Sequence, residues 1–285
     1  MTFRTRFAPS PTGPLHLGHA YSAMLAHDMA RARGGTFLLR IEDIDQSRSR
    51  PAWEAQIFDD LRWLGITWDE PVMRQSERMP VYRAALATLW DNGLAFACTC
   101  SRRDILAATS APQEGQPSVG PDGTIYPGTC RNKTVQSTQP DDAAIRLNIN
   151  AAVAALRADF PLSFQESLHD VARTVECNPT DLTDDIGDIV LSRKDMGTSY
   201  HLSVVLDDAA QNITDVVRGE DLFDATKIHV VLQHLLKLPT PHYHHHPLIR
   251  DDTGKRLAKR DDARAIRTYR DDGACPADIR KMVGL

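Results

Sequence analysis

Residues 3–19 of the chain, FRTRFAPSPTGPLHLGH, decide the fold. Phe3 to Phe7 is typical of a short buried strand, and the prolines that follow keep the next segment extended. From Leu17 to Arg33 apolar residues recur at helical spacing, so the pattern predicts a helix that begins at two histidines. The unpaired amide groups and the positive dipole end of such a start attract phosphate. We therefore expect a nucleotide site there.

The segments after this stretch continue as alternating helices and strands. Thr36 to Ile41 predicts a strand parallel to the first, with the helix between them as the crossover of a β-α-β unit. Helices are expected over Pro51 to Leu64 and over Met79 to Trp90, because proline and glycine signals bracket them. Further strands are predicted at residues 144–147, 188–191, 203–206 and 213–217, before a helix over 222–236. Residues 111–128 are rich in proline and glycine and predict a mobile loop.

Composition narrows the class of protein. A chain of 285 residues that is 42% hydrophobic and 25% charged can bury a sizeable core in one large or two modest domains. No apolar run approaches the ~20 residues that span a bilayer, and no signal peptide is evident, so we expect a cytoplasmic protein without a membrane segment. The net charge of −5 argues against bulk binding to nucleic acid. A local basic face is still available at residues 255–270, for which a solvated helical surface is the alternative.

Three acidic residues, Glu42, Asp43 and Asp45, follow the second strand, at the edge where open α/β sheets place ligands. On residue types alone they fit either a strand end that meets solvent or a Mg²⁺ site.

Cysteine spacing gives an independent signal. Cys98 and Cys100 form a C-x-C pair, and Cys130 follows the proline- and glycine-rich loop. In a cytoplasmic chain these thiols are expected to be reduced, and three thiolates suit a soft ion such as zinc. One coordination position then stays open, with Tyr126, Cys177 and water as candidates. Unrelated buried cysteines are the alternative interpretation.

The run HYHHH at residues 242–246 also invites a metal interpretation. Prolines bracket it, so we expect an extended loop near the nucleotide. Neighbouring residues in an extended chain point to opposite faces, and no acid is interleaved, which favours ordinary polar contacts over a metal site. His229 and His234 are five residues apart on a predicted helix and are interpreted as structural.

Several of these stretches resemble motifs of class I aminoacyl-tRNA synthetases. His16-Leu17-Gly18-His19 resembles the H-I-G-H signature, and residues 6–13, RFAPSPTG, resemble its glutamyl-type version. Residues 40–45, RIEDID, and 216–222, VVRGEDL, resemble runs of the same family. Residues 256–260, RLAKR, are similar to the K-M-S-K-S loop in its glutamyl form, with Ala258 replacing a serine. The resemblance covers almost the whole chain and implies an α/β fold with a Rossmann-like parallel sheet.

The resemblance implies a role for each matching residue. The ATP-binding residues would be His16, Gly18, His19, Arg256, Leu257 and Lys259, of which His16, His19 and Lys259 would be catalytic. The glutamate-binding residues would be Arg6, Ala8, Ser10, Glu42, Tyr200 and Arg218. In this arrangement Glu42 meets the α-ammonium group and Arg6 the side-chain carboxylate, which agrees with the preference of guanidinium groups for carboxylates. With the loop serine absent, we expect Lys259 to carry most of the charge stabilisation of leaving pyrophosphate.

The zinc site and the acceptor are also implied by resemblance. The metal ligands Cys98, Cys100, Tyr126 and Cys130 resemble the C-x-C…Y-x-x-x-C cluster of glutamyl-queuosine tRNA(Asp) synthetases, and only 25 residues follow Arg260. We therefore expect a monomer that holds one structural Zn²⁺. It would activate L-glutamate with ATP and Mg²⁺ and transfer the glutamyl group to the queuosine base in the anticodon loop of tRNA(Asp). The alternatives are a truncated glutamyl-tRNA synthetase that charges a tRNA 3′ end and a non-catalytic zinc-containing RNA-binding module.

This resemblance also suggests how the chain is divided. Residues 1–97 and 191–238 would form the two halves of the catalytic domain, separated by an inserted zinc-containing α+β acceptor-type subdomain over 98–190. Residues 239–285 would hold the K-M-S-K-S-type loop and a short helical C-terminal part.

Overall fold

The computed structural model describes residues 2–109, 119–132, 138–168, 171–249 and 264–285. The strands in these ranges are β1 Arg4–Phe7, β2 Thr36–Ile41, β3 Met73–Arg74, β4 Ala95–Cys98, β5 Val119–Gly120, β6 Gly123–Thr124, β7 Ala144–Leu147, β8 Leu162–Leu168, β9 Val171–Cys177, β10 Val190–Ser192, β11 Asp215–Gly219 and β12 His242–His246. The α-helices are α1 Leu17–Ala32, α2 Pro51–Trp63, α3 Met79–Asp91, α4 Arg102–Thr109, α5 Ile149–Ala155, α6 Tyr200–Ala210, α7 Thr226–Leu235, α8 Ile266–Asp271 and α9 Pro276–Val283. Short helical turns cover Gln75–Arg78, Asp181–Ile186 and Glu220–Leu222.

The first part of the chain folds as the predicted β-α-β unit. β1 pairs in parallel with β2, from Arg4 opposite Thr36 to Phe7 opposite Leu39, and β2 pairs in parallel with β3. The apolar face of α1 is buried against these strands, so the helical spacing that predicted α1 also explains its packing. The predictions for β1, α1, β2, α2 and α3 are confirmed to within one or two residues at each end.

A second parallel set of strands lies beside β1. β11, β12 and β8 are parallel neighbours, and β9 pairs antiparallel with β8. The backbone amide of Thr214, just before β11, donates to the carbonyl oxygen of Arg4 at 2.9 Å, which joins β11 to β1 at their first residues. The side chains that follow β1, β2, β11 and β12 therefore gather at one edge, where open α/β sheets bind ligands.

A separate antiparallel sheet, in the order β10-β7-β4, lies next to this body. β8 and β9 come from within the predicted 98–190 insertion, yet they extend the sheet of β11 and β12. The fourfold division of the chain stays a prediction. None of the helices in the described ranges combines the length and apolar character needed to cross a membrane.

Four sequence-based expectations for secondary structure were wrong. Residues 203–206 lie inside α6, because Ser199 caps a helix that continues through this apolar run. Residues 242–246 form β12 rather than a loop, because buried partners satisfy their polar side chains. Part of the predicted loop over 111–128 forms the β5–β6 hairpin. The helix expected over 222–236 begins at Thr226, after a short turn, and the β8–β9 hairpin was missed.

Candidate active site

The start of α1 is capped by the two histidines of the opening motif. The backbone amide of Gly18 donates to Nδ1 of His16 at 3.1 Å, and the amide of His16 donates to Nδ1 of His19 at 3.2 Å. The two imidazole rings stack with centroids 3.8 Å apart. The helix therefore begins with both histidines on one face, beside the amide groups that make a helix start attractive to phosphate.

A cavity of about 140 Å³ adjoins this helix start. His16, Gly18 and His19 form one wall, and Gly219 at the end of β11 and His246 at the end of β12 form the other. The hydroxyl of Ser22 lies 2.6 Å from Nε2 of His246, so α1 and β12 are tied together across the cavity. Arg256, Leu257 and Lys259, the other predicted ATP-binding residues, lie outside the described residues, as does most of the predicted basic face.

Next to the helix start, two buried arginines share one carboxylate. Nε of Arg6 donates to Oδ1 of Asp208 at 2.8 Å and Nη2 to Oδ2 at 3.3 Å. Nη1 of Arg40 donates to the same Oδ1 at 2.8 Å and to Oε1 of Gln211 at 3.0 Å. Nη2 of Arg40 lies 3.3 Å from Oε1 of Glu42. Arg6 therefore has a protein partner already, and its pairing with Asp208 was missed from the sequence.

The ionisation of this network follows from burial and from the two guanidinium groups. Burial raises the pKa of Glu42, and the positive charges of Arg40 and Arg6 only partly offset it. Burial alone would also raise the pKa of Asp208, but Arg6 and Arg40 hold it below its usual value. Asp208 is thus the fixed negative charge of the network, while Glu42 is a carboxylate whose charged form still gains from a further cation.

The other two acids after β2 have different partners. Asp43 accepts hydrogen bonds from the backbone amide and the hydroxyl of Ser76, at 2.8 and 2.6 Å, and Asp45 pairs with Arg48. The metal-ligand groupings within the described ranges do not include these carboxylates. Only Glu42 lies beside Arg40, and the carboxylates of Asp43 and Asp45 have other partners. Because the three carboxylates do not converge, they do not form the Mg²⁺ site that was one interpretation of the sequence.

The remaining pocket residues come from the ends of β1, α6 and β11. The amide of Glu42 donates to the carbonyl of Pro9 at 3.0 Å, which places Ala8 and Ser10 beside Glu42. Tyr200 is the first residue of α6. Burial raises its pKa, and the charges of Arg218, Glu42 and Arg6 all act on its hydroxyl. The charges of Arg6, Glu42 and Arg218 thus act together on the Tyr200 hydroxyl, and Ala8 lies beside Glu42, whereas the side chain of Ser10 is largely exposed.

Arg218 is held by protein groups on several sides. Nε donates to Nε2 of His245 at 3.1 Å, and Nη1 donates to Nδ1 of His229 at 3.1 Å. Nη2 donates to Oγ1 of Thr226 at 2.6 Å and to the carbonyl of Leu222 at 3.2 Å. A guanidinium group has five N–H donors, and four are used here. The fifth, on Nη1, is the donor that a ligand would find.

His245 and His229, which contact Arg218, each have a further polar contact on the other ring nitrogen. Nδ1 of His245 lies 2.6 Å from Oε2 of the buried Glu166. Nε2 of His229 lies 3.1 Å from Nδ1 of His201, whose Nε2 is 3.3 Å from Oδ1 of Asp122 on the β5–β6 hairpin. We call this chain the Arg218 relay: Glu166, His245, Arg218, His229, His201 and Asp122.

The relay fixes the tautomer of each ring. Arginine can only donate, so His229 accepts through Nδ1 and carries its hydrogen on Nε2, which it donates to His201. By the same reasoning His245 accepts through Nε2 and donates from Nδ1 to Glu166. Burial lowers the pKa of His229 well below its usual value and that of His245 to a smaller extent, so both rings are neutral. Sequence analysis interpreted His229 as structural and missed its contact with Arg218.

The four predicted metal ligands also lie together. The sulfur atoms of Cys98, Cys100 and Cys130 offer three ligand atoms within 4.8 Å of one another. The hydroxyl of Tyr126 lies 3.4 Å from Sγ of Cys98 and 3.5 Å from Sγ of Cys100, and the latter is 3.5 Å from Sγ of Cys130. Cys177, the other candidate ligand, is buried in the main hydrophobic core instead.

These distances suit a tetrahedral ion. With bonds of ~2.3 Å to sulfur and ~2.0 Å to oxygen, ligand atoms around zinc lie roughly 3.5–3.8 Å apart. The Tyr126 hydroxyl accepts from the backbone amide of Cys130 at 2.9 Å, and the guanidinium carbon of Arg146 is 4.1 Å from the centroid of the Tyr126 ring. The backbone contact favours a negatively charged oxygen, whereas burial and the hydrogen bonds with the cysteines raise the pKa of Tyr126. The three sulfur atoms are thus spaced to hold a metal ion, while Tyr126 as the fourth ligand stays a prediction.

A larger cavity of about 560 Å³ opens between this cluster and the Arg218 relay. Tyr126 and Asp122 line it from the insertion side, and Tyr200 and His201 line it from α6. Four arginines also reach its wall: Arg48, Arg102, Arg146 and Arg193. The cavity can admit a bulky anionic group directly to the pocket that contains Tyr200.

Comparison with known proteins gives a consistent result. The family described as tRNA synthetases class I (E and Q), catalytic domain, matches residues 2–285. A glutamyl-Q tRNA(Asp) synthetase of Rhodobacter capsulatus is 62% identical over 285 residues, which cover 99% of each chain. A second protein with this description, from Nocardia farcinica, is 42% identical and covers 98% of this chain and 82% of its own.

Among solved structures, a glutamate tRNA ligase from Elizabethkingia meningosepticum, crystallised with its amino acid, superposes with a TM-score of 0.76 at 26% identity. The match covers all of this chain but only 61% of that one, so the chain spans less than two thirds of the length of that ligase. The α/β fold and parallel sheet predicted from the resemblance are thereby confirmed, as is the prediction of an aminoacyl-tRNA synthetase-type ligase. The chain matches the class I catalytic domain over residues 2–285 and is 62% identical to a glutamyl-Q tRNA(Asp) synthetase over the full length of both chains, so it belongs to the glutamyl-Q tRNA(Asp) synthetase family.

Proposed function

We propose that this protein activates L-glutamate with ATP and transfers the glutamyl group to the queuosine base of tRNA(Asp). The observation that carries the first step is a set of charges: the carboxylate of Glu42 and the guanidinium groups of Arg6 and Arg218 all act on Tyr200. Arg218 directly precedes Gly219, which lines the cavity beside the histidine-capped helix start. An amino acid with two carboxylates and one ammonium group presents the complementary charges. The acceptor is inferred from the name of the relatives that match over the full length.

Activation needs no covalent enzyme intermediate. An oxygen of the glutamate α-carboxylate attacks the α-phosphorus of ATP, and the bond to pyrophosphate breaks, which gives the adenylate. Glu42 would hold the ammonium group, Nη1 of Arg6 and of Arg218 would meet the side-chain carboxylate, and the amides and histidines at the start of α1 would bind phosphate oxygens. Catalysis then rests on positioning and charge neutralisation, to which Lys259 and Mg²⁺ bound with ATP would contribute.

In the second step a nucleophilic group of the acceptor base attacks the adenylate carbonyl, and AMP leaves. The 560 Å³ cavity beside Tyr200 offers the approach, and its arginines would bind RNA phosphates. Cys98, Cys100, Cys130 and Tyr126 would hold Zn²⁺, which when bound cross-links the wall of that cavity rather than joining the reaction.

Two assays test this proposal. Exchange of labelled pyrophosphate into ATP should require glutamate and proceed without tRNA, and its absence would favour the non-catalytic module. Labelled glutamate should then transfer to tRNA from cells that make queuosine and not to tRNA from cells that lack it. Labelling of tRNA(Glu) at its 3′ end, independent of queuosine, would instead identify a truncated glutamyl-tRNA synthetase.

A further inference from the structure

A second group of metal-type ligands lies on the strands β11 and β12. His242 and His244 are two residues apart on β12, so their side chains project from the same face of the sheet. Asp215 begins the neighbouring strand β11 and stands opposite His242 in the register. No acid is interleaved among the histidines in the sequence, but Asp215 on the neighbouring strand β11 supplies a carboxylate beside them.

The three side chains converge. Nε2 of His244 lies 2.7 Å from Oδ1 of Asp215, and the rings of His242 and His244 stack with centroids 4.3 Å apart and planes at 16°. Asp215, His242 and His244 each offer one ligand atom, and these atoms lie within 4.8 Å of one another. All three residues are half-buried, so the group is anchored in the sheet and still open to ions from solvent.

Neighbouring hydroxyl groups hold the outer atoms of two of these side chains. Oγ1 of Thr214 donates to Oδ2 of Asp215 at 2.6 Å, which leaves Oδ1 directed at His244. The hydroxyl of Ser167 on β8 lies 3.0 Å from Nε2 of His242. Outer hydrogen bonds of this kind orient ligating histidines and carboxylates in metal sites.

We propose that Asp215, His242 and His244 form a binding site for a divalent transition-metal ion, with Zn²⁺ as the fitting occupant. Two imidazoles and one carboxylate are ligands of the type that zinc accepts, and three protein ligands leave a position for water. Ligand atoms around such an ion lie ~3 Å apart, so the close His244–Asp215 pair already has nearly the required spacing. The ion takes the place of the hydrogen between these two groups, and neutral His244 then carries its one ring hydrogen on Nδ1.

This site is separate from the proposed chemistry. Asp215 and His242 begin β11 and β12, and His244 projects from the same face as His242, whereas His245 projects from the opposite face and Arg218 lies near the end of β11. An ion there contacts neither the Arg218 relay nor the Cys98–Cys130 cluster. Of the charged groups that act on His242, Asp215 and Glu166 favour a cation and Arg33 opposes it. With only three protein ligands, we expect binding weaker than at a four-ligand site.

The test is a metal titration of untagged protein. Zn²⁺ uptake is measured by equilibrium dialysis, and Co²⁺ uptake by absorption, since thiolate ligation gives strong charge-transfer bands and nitrogen and oxygen ligation gives only weak visible bands. We expect His244→Gln and Asp215→Asn each to weaken the binding of the ions that have nitrogen and oxygen ligands by at least about tenfold. Both variants should leave the thiolate bands unchanged. Asp215→Asn keeps the size and shape of the side chain, so a loss of binding in the folded variant reports the loss of the carboxylate.

His234→Gln on α7 is the matched control, because it also removes one partly buried histidine. It should bind the same number of ions as the unaltered protein. Equal uptake by the unaltered protein, His244→Gln and Asp215→Asn would overturn the proposal, and so would loss of the same ions in His234→Gln. None of these outcomes depends on whether the chain glutamylates tRNA.

Discussion

The arginine network and the cysteine cluster bury polar atoms in opposite ways. In the network, Arg6 and Arg40 surround Asp208, so positive and negative groups come from the same chain and nearly balance. In the cluster, three sulfur atoms and the Tyr126 hydroxyl gather with Arg146 stacked on the tyrosine ring as the neighbouring cation. The first region is set before any ligand arrives, whereas the second would gain its counter-charge from the proposed Zn²⁺.

This difference has a practical consequence for substitutions. Removing a charge from a balanced buried set leaves its partner uncompensated, which costs far more than the pair itself contributes. Removing a ligand from a cluster of one sign loses the stabilisation that the ion supplies. The two regions should therefore respond differently to the same kind of change, and the following predictions test this, from the largest effect to the smallest.

Asp208→Asn should have the largest effect. It preserves the shape but leaves two buried guanidinium groups without their shared anion, and we expect a loss of about 3–5 kcal/mol in the free energy of unfolding. Urea denaturation measures it. Asp195→Asn is the matched control, since the Arg193–Asp195 pair is exposed and should contribute less than about 1 kcal/mol. Similar losses in both variants would mean that the buried network is not balanced as described.

Cys130→Ser should abolish metal binding at the cluster. Protein purified without chelator should contain about one zinc equivalent less, and at ~100 times the dissociation constant the lost binding corresponds to about 2.7 kcal/mol of stability. Cys275→Ser, on an exposed residue, should leave the zinc content unchanged. Because the Cys275 side chain caps α9 and serine is the better cap, this control should not lose stability. If unaltered protein contains no zinc at this site, the contrast between the two regions fails.

Glu166→Gln should weaken glutamate binding through the Arg218 relay. The amide can still accept from His245, but the buried charge behind the ring is lost, so Arg218 is held less firmly. We expect a rise in KM for glutamate of roughly tenfold, with a smaller change in kcat, in pyrophosphate exchange. Asp122→Asn, at the exposed end of the relay, should have a smaller effect. A larger effect from Asp122→Asn would reverse our view of which end supports Arg218.

Substitution of Asp60 should have the smallest effect on stability. Asp60 is a buried carboxylate whose charge is only partly offset by Arg270 and Arg267. Burial, and then the charge of Asp59, raise its pKa from 3.8 to about 6. As pH rises from 4 to 6 the unfolded chain loses this proton first, so the folded protein loses stability over that interval. Asp60→Asn should therefore be more stable than the unaltered protein above pH 6, by on the order of 1 kcal/mol, and equal to it below pH 4. Urea midpoints across this range measure the difference.

The sequence was sufficient where local pattern and tertiary structure agree. The apolar spacing that predicted α1 is the face that packs on β1 and β2, and the C-x-C spacing placed Cys98 and Cys100 together. It was insufficient where long-range polar contacts decide the structure. β12 has too few apolar residues for a predicted strand, but His245 is satisfied by Glu166 and Arg218, which are 79 and 27 residues away in the chain.

The same limit applies to the pocket. Arg40 and Asp208 are 168 residues apart, and no periodicity links them. One signal was available: Asp207 and Asp208 interrupt an otherwise apolar helix, and buried carboxylates of that kind need cationic partners. Glu166 gave a similar signal, as an acid at a buried position of β8.

The reciprocal caps of His16 and His19 determine where each imidazole keeps its hydrogen. Both rings accept a backbone amide through Nδ1, so in the neutral state the hydrogen of each ring is on Nε2. In the proposed ATP complex each histidine would therefore donate to a phosphate oxygen in its neutral form. The proposed binding of a triphosphate at this helix start would then not depend on charging the histidines.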